Sequence, residues 1–413
     1  MTDRFQRSEL PGGLVVLTEA MPGVRSASLG VWVRAGSVFE SPAEMGVSHL
    51  LEHMVFKGTT RRGPRELALV LERLGGSLDA YTTREHTSYQ ARVLDTDTDV
   101  ALDVLADLVL QPVLRPEDLE LEREVVLEEI ATVEDTPDDL VFDLHARLMW
   151  GDHPYGYSIL GTRDTVAGLT AADLRRVHTE RYGPGELVVA AAGHVEHERF
   201  VERVAAEFGR LTAAGGGGPN GRPAPQGPQV CRTCVERGSA QTHLVWGTPT
   251  FGQGDPRRFA MVLLSTAFGG GMSSRLFQRV REELGLAYSV FSFQSFYEDA
   301  GMCGVYVGTR PEWADRAEAV VAEELELLAS EGLLADELAD AKGQVKGQIV
   351  LSMESSSARL HRLAGTELYG EPFRSMDEIT QLVDAVTLDE VAGLATEYYR
   401  PGRQTVLRLG PTH

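Results

Sequence analysis

The stretch that decides the fold is Gly46-Val47-Ser48-His49-Leu50-Leu51-Glu52-His53-Met54-Val55-Phe56-Lys57-Gly58. No proline or glycine interrupts residues 47–56, so the stretch predicts a helix. At 3.6 residues per turn, His49 and His53 fall one turn apart on one face, where two imidazoles can reach one metal ion. Glu52 projects towards the same place, and a carboxylate there that is not a ligand can take a proton from water on the metal. The motif alone leaves a second interpretation open, which is a helix with two exposed histidines.

The composition bounds the class of protein. The chain has 413 residues, too many for one typical core, so two domains or more are expected. Lys and Arg number 39 against 61 Asp and Glu, and the net charge of −22 argues against nucleic acid or an anionic membrane as the main partner. An acidic surface mildly favours cationic substrates, although it also simply keeps a protein in solution. Three cysteines, the lack of a membrane-spanning apolar run and the polar start of the chain predict a cytoplasmic location.

The same order of predicted elements occurs in both halves of the chain. Thr170 and Thr387 each begin a capped helix that leads through Gly185 or Gly402 to a last strand, and both pairs are 217 positions apart. Between the halves, a Gly- and Pro-rich segment has the composition of a linker. We therefore predict an α+β fold with two homologous domains, each a mainly antiparallel sheet packed with helices. The predicted ranges are 1–211 for the N-terminal domain, 212–229 for the linker and 230–413 for the C-terminal domain.

A metal site that keeps one open position needs a third protein ligand. Candidates lie in an acidic helix predicted over about residues 117–134, where Glu122 and Glu129 share one face beside an apolar stripe. A partly buried carboxylate is costly unless it is paired, and a nearby cation would remove that cost. The alternative is a solvated acidic helix surface, which is the usual meaning of such a run.

A family resemblance rests on three neighbouring motifs. Gly46–Gly58 is followed by Gly75-Gly76 and by Asp79-Ala80-Tyr81-Thr82-Thr83-Arg84-Glu85-His86-Thr87. Together they closely resemble the pitrilysin/insulysin family of zinc peptidases, and most of all the branch of mitochondrial processing peptidase and its bacterial relatives. The likeness covers essentially the whole chain, including its duplicated halves.

The resemblance implies a site of five residues. It assigns one zinc ion per chain to His49, His53 and Glu129, the last lying 76 residues after His53. Glu52 takes the role of general base. Glu122 matches a second glutamate of the family, which is expected to support a histidine ligand from behind.

The resemblance also assigns a pair of residues in the second half. Arg281 and Tyr288, seven positions apart, match an Arg and a Tyr that in the family face the zinc site across a closed chamber. Considered alone, both could be ordinary surface residues. A guanidinium and a phenol can donate hydrogen bonds to substrate carbonyls and to a developing oxyanion. Short members of the family associate as two chains, so a homodimer with shared sites is implied.

The strand predicted around Asp79, Ala80 and Tyr81 resembles the family's edge strand, which binds an extended substrate by adding it to the sheet. This chain departs from the family there, because Asp79 stands where Asn is usual. A carboxylate cannot donate a hydrogen bond to a peptide carbonyl unless it is protonated. Pairing through the backbone of Ala80 and Tyr81 does not depend on that side chain.

The predicted function is a zinc-dependent endopeptidase that hydrolyses extended peptides, either processing N-terminal extensions or degrading oligopeptides. The competing hypothesis is a non-catalytic assembly subunit of the same fold. Two further signals are predicted to carry no site. Cys231-x-x-Cys234 has no second such pair to complete a metal site, and His194 and His197 are interpreted as solvated loop residues.

Overall fold

The computed structural model describes residues 5–209, 211 and 230–411. The predicted linker, 212–229, lies outside the described residues. The first half of the chain contains β1 (Phe5–Glu9), β2 (Val15–Ala20), β3 (Ser26–Val33), α1 (Val47–Val55), α2 (Pro64–Glu72), β4 (Ser77–Thr82), β5 (Thr87–Leu94), α3 (Thr98–Leu110), α4 (Pro116–Asp135), α5 (Pro137–Trp150), α6 (Arg163–Gly168), α7 (Ala171–Arg181), β6 (Leu187–Gly193) and α8 (His197–Phe208). The second half contains β7 (Arg232–Glu236), β8 (Thr242–Thr250), α9 (Arg258–Gly269), a π-helix (Phe277–Glu283), β9 (Ala287–Phe296), β10 (Gly301–Thr309), α10 (Ala314–Glu331), α11 (Ala335–Ser352), α12 (Ser356–Leu368), α13 (Met376–Ala385), α14 (Leu388–Tyr398) and β11 (Thr405–Gly410).

The described residues form two compact units. The first comprises residues 5–130, 157–209 with 211, and 352–373. The second comprises residues 131–156, 230–351 and 374–411. Each unit therefore includes a helix from the opposite half of the sequence, since α12 belongs to the first unit and α5 to the second.

The first unit is built on a six-stranded sheet in the order β1-β2-β6-β3-β5-β4. Only the β2–β6 pair is parallel among these pairings. One face carries the main core, into which α1, α3, α7 and α8 pack. The other face carries Trp32 and Leu17, which α12 covers with Leu360 and Leu363. Strand β4 is at the edge of this sheet.

The second unit repeats the plan with a five-stranded sheet in the order β7-β11-β8-β10-β9. Its one parallel pair, β7–β11, occupies the place that β2–β6 holds in the first sheet. Helices α9, α10 and α14 supply the core of one face, and α5 packs Val141 against the other. Two mainly antiparallel sheets packed with helices confirm the predicted α+β class.

Helix starts predicted from capping signals are confirmed. The Thr170 side chain accepts a hydrogen bond from the Asp173 backbone N–H, and the Asp173 carboxylate accepts one from the Thr170 N–H. Thr387 and Glu390 form the same reciprocal box at the start of α14. Such a box depends on four consecutive residues, so the local sequence suffices to specify it.

The interpretation of His197 as a solvated loop residue is wrong. His197 is buried at the start of α8, an element that was not predicted. Its ring nitrogens lie 2.8 Å from the Ser8 hydroxyl and 2.9 Å from the Thr18 hydroxyl. Phe200 and Val204 follow on the same helix face, and burying them carries His197 into the core. His194, in contrast, is half exposed, as expected.

Candidate active site

Helix α1 presents its H-x-x-E-H motif on one face because its other face is fixed in the core. Leu50, Leu51 and Met54 are fully buried, so the helix cannot rotate without exposing them. His49 and His53 consequently share the remaining face, with their ring centroids 4.7 Å apart. The predicted helix and its histidine pairing are confirmed.

The start of α1 is held by two unusual residues. Gly46 has φ 90°, and a Cβ there would lie 2.5 Å from the Leu160 carbonyl oxygen, so this position requires glycine. The buried carboxylate of Glu40 accepts hydrogen bonds from the backbone N–H groups of Gly46 and Ser48, at 2.8 and 2.9 Å. Burial nevertheless raises the pKa of Glu40 to about 7. Glu40 caps the helix through a side chain six residues upstream, which the local capping signals did not reveal.

Helix α4 brings Glu129 to the two histidines. Its Oε2 atom lies 3.7 Å from His49 Nε2 and 3.6 Å from His53 Nε2. One donor atom from each of the three residues lies within 4.8 Å of the others. Ligands bound to tetrahedral zinc at about 2.0–2.1 Å are separated by roughly 3.3 Å, which is close to the two distances from Glu129 to the histidines. Two imidazoles and one carboxylate also form a donor set that zinc accepts.

His49 is suited to binding a cation. Burial, with a smaller effect of the neighbouring His53, lowers the pKa of His49 to about 4. The ring is therefore neutral near pH 7 and keeps a lone pair for a metal. Its Nε2 atom is the nitrogen that faces Glu129, while its Nδ1 atom is buried and has no hydrogen-bond partner among the described residues.

Glu122 contacts the Nδ1 side of the His53 ring, whereas Glu129 lies near its Nε2 atom. Its Oε2 atom is 3.2 Å from His53 Nδ1, and its Oε1 atom is 2.5 Å from Lys57 Nζ. A carboxylate at Nδ1 holds the proton on that nitrogen, so Nε2 is free to bind a metal. Lys57 was not singled out in the sequence, although it stands four residues after His53 on the same motif. The i, i+4 spacing was the signal that could have identified it.

Glu52 is held by a residue of the edge strand. The Thr82 hydroxyl donates a hydrogen bond of 2.6 Å to Glu52 Oε2. Burial raises the pKa of Glu52, while this hydrogen bond and the adjacent His53 act in the opposite direction. A raised pKa brings a carboxylate closer to the range in which it can both accept and return a proton. Thr82 belongs to the strand segment that the sequence analysis associated with substrate binding. No local sequence signal predicted its hydrogen bond with Glu52.

The three predicted substrate residues lie on β4 with alternating orientation. The Thr83 N–H donates a hydrogen bond to the His86 carbonyl, directly after the last β4–β5 pair. Because hydrogen-bonded and non-hydrogen-bonded pairs alternate along antiparallel strands, the backbone groups of Asp79 and Tyr81 form hydrogen bonds with β5. The backbone groups of Ala80 consequently face the open edge of the sheet. The Tyr81 ring stacks on His361 of α12, with a centroid distance of 6.0 Å. Of the two residues predicted to pair through their backbone, only Ala80 presents that backbone at the edge.

Arg281 and Tyr288 are close together in the second unit. The Arg281 guanidinium lies 4.5 Å from the centre of the Tyr288 ring and donates a 2.9 Å hydrogen bond to the Tyr288 carbonyl. Tyr288 is 77% exposed, so its hydroxyl is available to a ligand. The cation over the ring attracts the aromatic face and restricts the motion of this exposed side chain.

The Cys231-x-x-Cys234 pair forms no site. Strand β7 extends through Cys234, and the Cys231 carbonyl accepts a hydrogen bond from Val406 of the neighbouring strand. Three extended residues span roughly 10 Å, which is too far for a disulfide. Both thiols are free.

Comparisons with known proteins give the class to which the fold and this site belong. Residues 15–163 match the family described as "Insulinase (Peptidase family M16)", and residues 168–345 match "Peptidase M16 inactive domain". The chain belongs to the M16 peptidase family and is a metalloprotease.

Relatives named "Uncharacterized zinc protease" support zinc as the cofactor. One from Streptomyces coelicolor is 42% identical over 98% of this chain and 89% of its own length. One from Bacillus subtilis is 38% identical over 96% of both chains.

Solved structures support the same fold. A protease from Helicobacter pylori superposes with a TM-score of 0.92 at 22% identity, covering 99% of this chain and 100% of its own. A "peptidase M16 inactive domain" from Pseudomonas fluorescens also gives 0.92 at 22% identity, with 99% and 98% coverage. Among the described residues, no helix is both long and apolar enough to cross a membrane.

Proposed function

We propose that this metalloprotease is an endopeptidase that hydrolyses extended peptides, with one zinc ion per chain held by His49, His53 and Glu129. The observation that carries the proposal is the convergence of those three donor groups on the helix face that also bears Glu52. We place the protein in a reducing cytoplasm, which three free cysteines support.

The chain's own residues supply the proton transfers. Zinc, when bound, lowers the pKa of water to about 7 and polarises a carbonyl. Glu52 accepts the proton of the water that attacks the scissile carbonyl carbon. It then gives that proton to the amine nitrogen as the carbon–nitrogen bond breaks, so Glu52 ends in its initial state. Glu122 keeps His53 in the tautomer and orientation that the site needs.

The substrate is proposed to bind as an added strand along β4. Ala80 offers one N–H and one carbonyl at the open edge, which suits any extended peptide irrespective of its side chains. Asp79 is exposed and lies one residue away. Its carboxylate favours a substrate N–H or a cationic side chain over the carbonyl that an Asn amide would bind.

Arg281 and Tyr288 are proposed to complete the site in a homodimer, in which the second half of one subunit serves the zinc site of its partner within a closed chamber. The exposure of Tyr288 supports a role at a ligand. The phenol and guanidinium would bind the substrate carbonyl or the developing oxyanion. Mixing Glu52→Gln chains with Tyr288→Phe chains tests the arrangement. Activity restored in the mixture supports shared sites, and a mixture as inactive as its components argues for sites within one chain.

The central experiment is digestion of a mixed-length peptide library by Glu52→Gln and wild-type protein, each with its full zinc content verified. We expect wild-type cleavage to stop with chelator and the variant to be slower by about 10²-fold or more. Hydrolysis by the variant at the wild-type rate would refute the proposal. A wild-type protein that binds zinc but cleaves nothing would favour the assembly-subunit hypothesis. Cleavage near N-termini only would indicate processing, and cleavage throughout would indicate degradation.

A further inference from the structure

Thr82 is the last residue of β4 and touches the general base. Its hydroxyl oxygen lies 2.6 Å from Glu52 Oε2, a short hydrogen bond between strand and helix α1. An ionised carboxylate only accepts hydrogen bonds, so Thr82 is the donor. Such a charge-assisted bond is stronger than one between neutral groups.

Among the contacts of the Thr82 hydroxyl, the hydrogen bond to Glu52 is the shortest. Thr87, opposite it on β5 and fully buried, donates its own hydrogen to the Ala35 carbonyl at 2.8 Å. The Thr82 and Thr87 hydroxyl oxygens are 3.2 Å apart, a longer contact than the bond to Glu52. Because Thr is branched at Cβ, its χ1 angle is restricted and the strand backbone fixes the direction of the hydroxyl.

The backbone of the same residue faces the open edge of the sheet. The hydrogen-bond alternation that turns Ala80 outwards does the same for Thr82, two residues further on. A peptide pairing with β4 would therefore bind the backbone of a residue whose side chain holds Glu52.

We propose that Thr82 is a positioning residue that couples pairing of the substrate on β4 to the orientation of Glu52. With Oε2 held by Thr82, Oε1 is the oxygen left to face the attacking water. This inference rests on the proposed function, since it assigns the base role to Glu52 and the binding role to β4.

The test compares Thr82→Val, which keeps the shape and removes the donor, with Thr82→Ser, which keeps the donor. The assay is steady-state hydrolysis of a quenched fluorescent peptide that the wild type cleaves, with zinc content and unfolding midpoint measured for each protein. Thr179→Val is the matched control, because Thr179 is exposed and its hydroxyl donates to the Arg175 carbonyl of its own helix. We expect kcat of Thr82→Val to fall about 10-fold to 100-fold with KM within about twofold, and Thr82→Ser to recover most of kcat.

Three outcomes would overturn the inference. They are a Thr82→Val kcat within about twofold of wild type, an equal loss in Thr82→Ser, and a loss confined to KM. If Thr82→Val fails to fold or to bind zinc, the Thr82→Ser and Thr82→Ala pair decides by the same kcat criterion. Assaying Glu52→Gln in parallel distinguishes the two proposals. Wild-type activity of Glu52→Gln would refute the proposed function itself. An inactive Glu52→Gln together with a fully active Thr82→Val would refute only the role of Thr82.

Discussion

Replacing Glu122 by Gln removes one of two acceptor oxygens from a group that serves two donors. In the native protein, Oε2 faces His53 Nδ1 at 3.2 Å and Oε1 faces Lys57 Nζ at 2.5 Å. An amide has a single acceptor oxygen, so either Lys57 or His53 would face an NH₂ group. Glu122 is only 8% exposed, and water cannot readily replace the lost partner.

The expected effect is a loss of metal affinity. Removing the partner of a metal-ligating histidine typically weakens metal binding 10- to 100-fold, or about 1.4–2.7 kcal/mol. Where the single amide oxygen turns to Lys57, His53 loses the contact that keeps its proton on Nδ1, and a proton on Nε2 competes directly with zinc. The assay is competition for zinc between apoprotein and a fluorescent chelator of known affinity, which needs no substrate.

Glu124→Gln is the matched control, since Glu124 is on the same helix, carries the same charge and is exposed. We expect its zinc affinity to remain within about twofold of wild type, because exposed charges contribute little. Equal affinities of the wild type, Glu122→Gln and Glu124→Gln would refute the reasoning that Glu122 orients His53. Equal losses in both variants would mean that the helix charge matters and the hydrogen bond does not.

Three further results are expected. Burial raises the pKa of the Glu40 carboxyl to about 7, against 4.5 in the unfolded chain. The stability that protonated Glu40 contributes is therefore complete below pH 4.5 and is lost as pH rises through 7. Relative to Glu40→Gln, the wild-type free energy of unfolding should fall by about 3 kcal/mol over that range. His145, buried on α5 with Nε2 3.0 Å from the Thr405 carbonyl, has a pKa lowered to about 4 by burial. The stability that neutral His145 contributes is present above pH 6.5 and is lost as pH falls through 4. In denaturant titrations, the wild-type free energy of unfolding should therefore fall relative to His145→Gln by a similar amount as the solution is acidified. For Glu40 or His145, a variant whose stability changes with pH in parallel with that of the wild type would contradict the assigned pKa shift. Removing zinc should lower the unfolding temperature of the wild type, because zinc at a free concentration 100 times Kd stabilises the folded protein by about 2.7 kcal/mol. A variant lacking both His49 and His53 should show no such shift.

The local sequence was sufficient to predict structure where residues close together in the chain are also close together in space. The helical period places His49 and His53 one turn apart, and the capping boxes at Thr170 and Thr387 satisfy backbone donors within four residues. The apolar stripe of the acidic segment also predicted the helix over about residues 117–134, which is observed as α4, because hydrophobic periodicity reports which face of an element is buried. Hydrophobic periodicity failed for α8, where a loop interpretation of His197 overlooked the apolar face that follows.

By itself, then, the sequence determined the helix that pairs His49 with His53, the duplicated order of elements and the set of carboxylates from which a third ligand could come. The tertiary structure decided that Glu129 faces the imidazole Nε2 atoms while Glu122 faces a ring from behind, although both carboxylates share one helix face. It also decided that α12 covers the sheet of the first unit and that Thr82 holds Glu52 across 30 positions of sequence. An amphipathic pattern specifies that a face must be buried but not which surface buries it, and that choice depends on the shapes and polar groups of segments far apart in the chain.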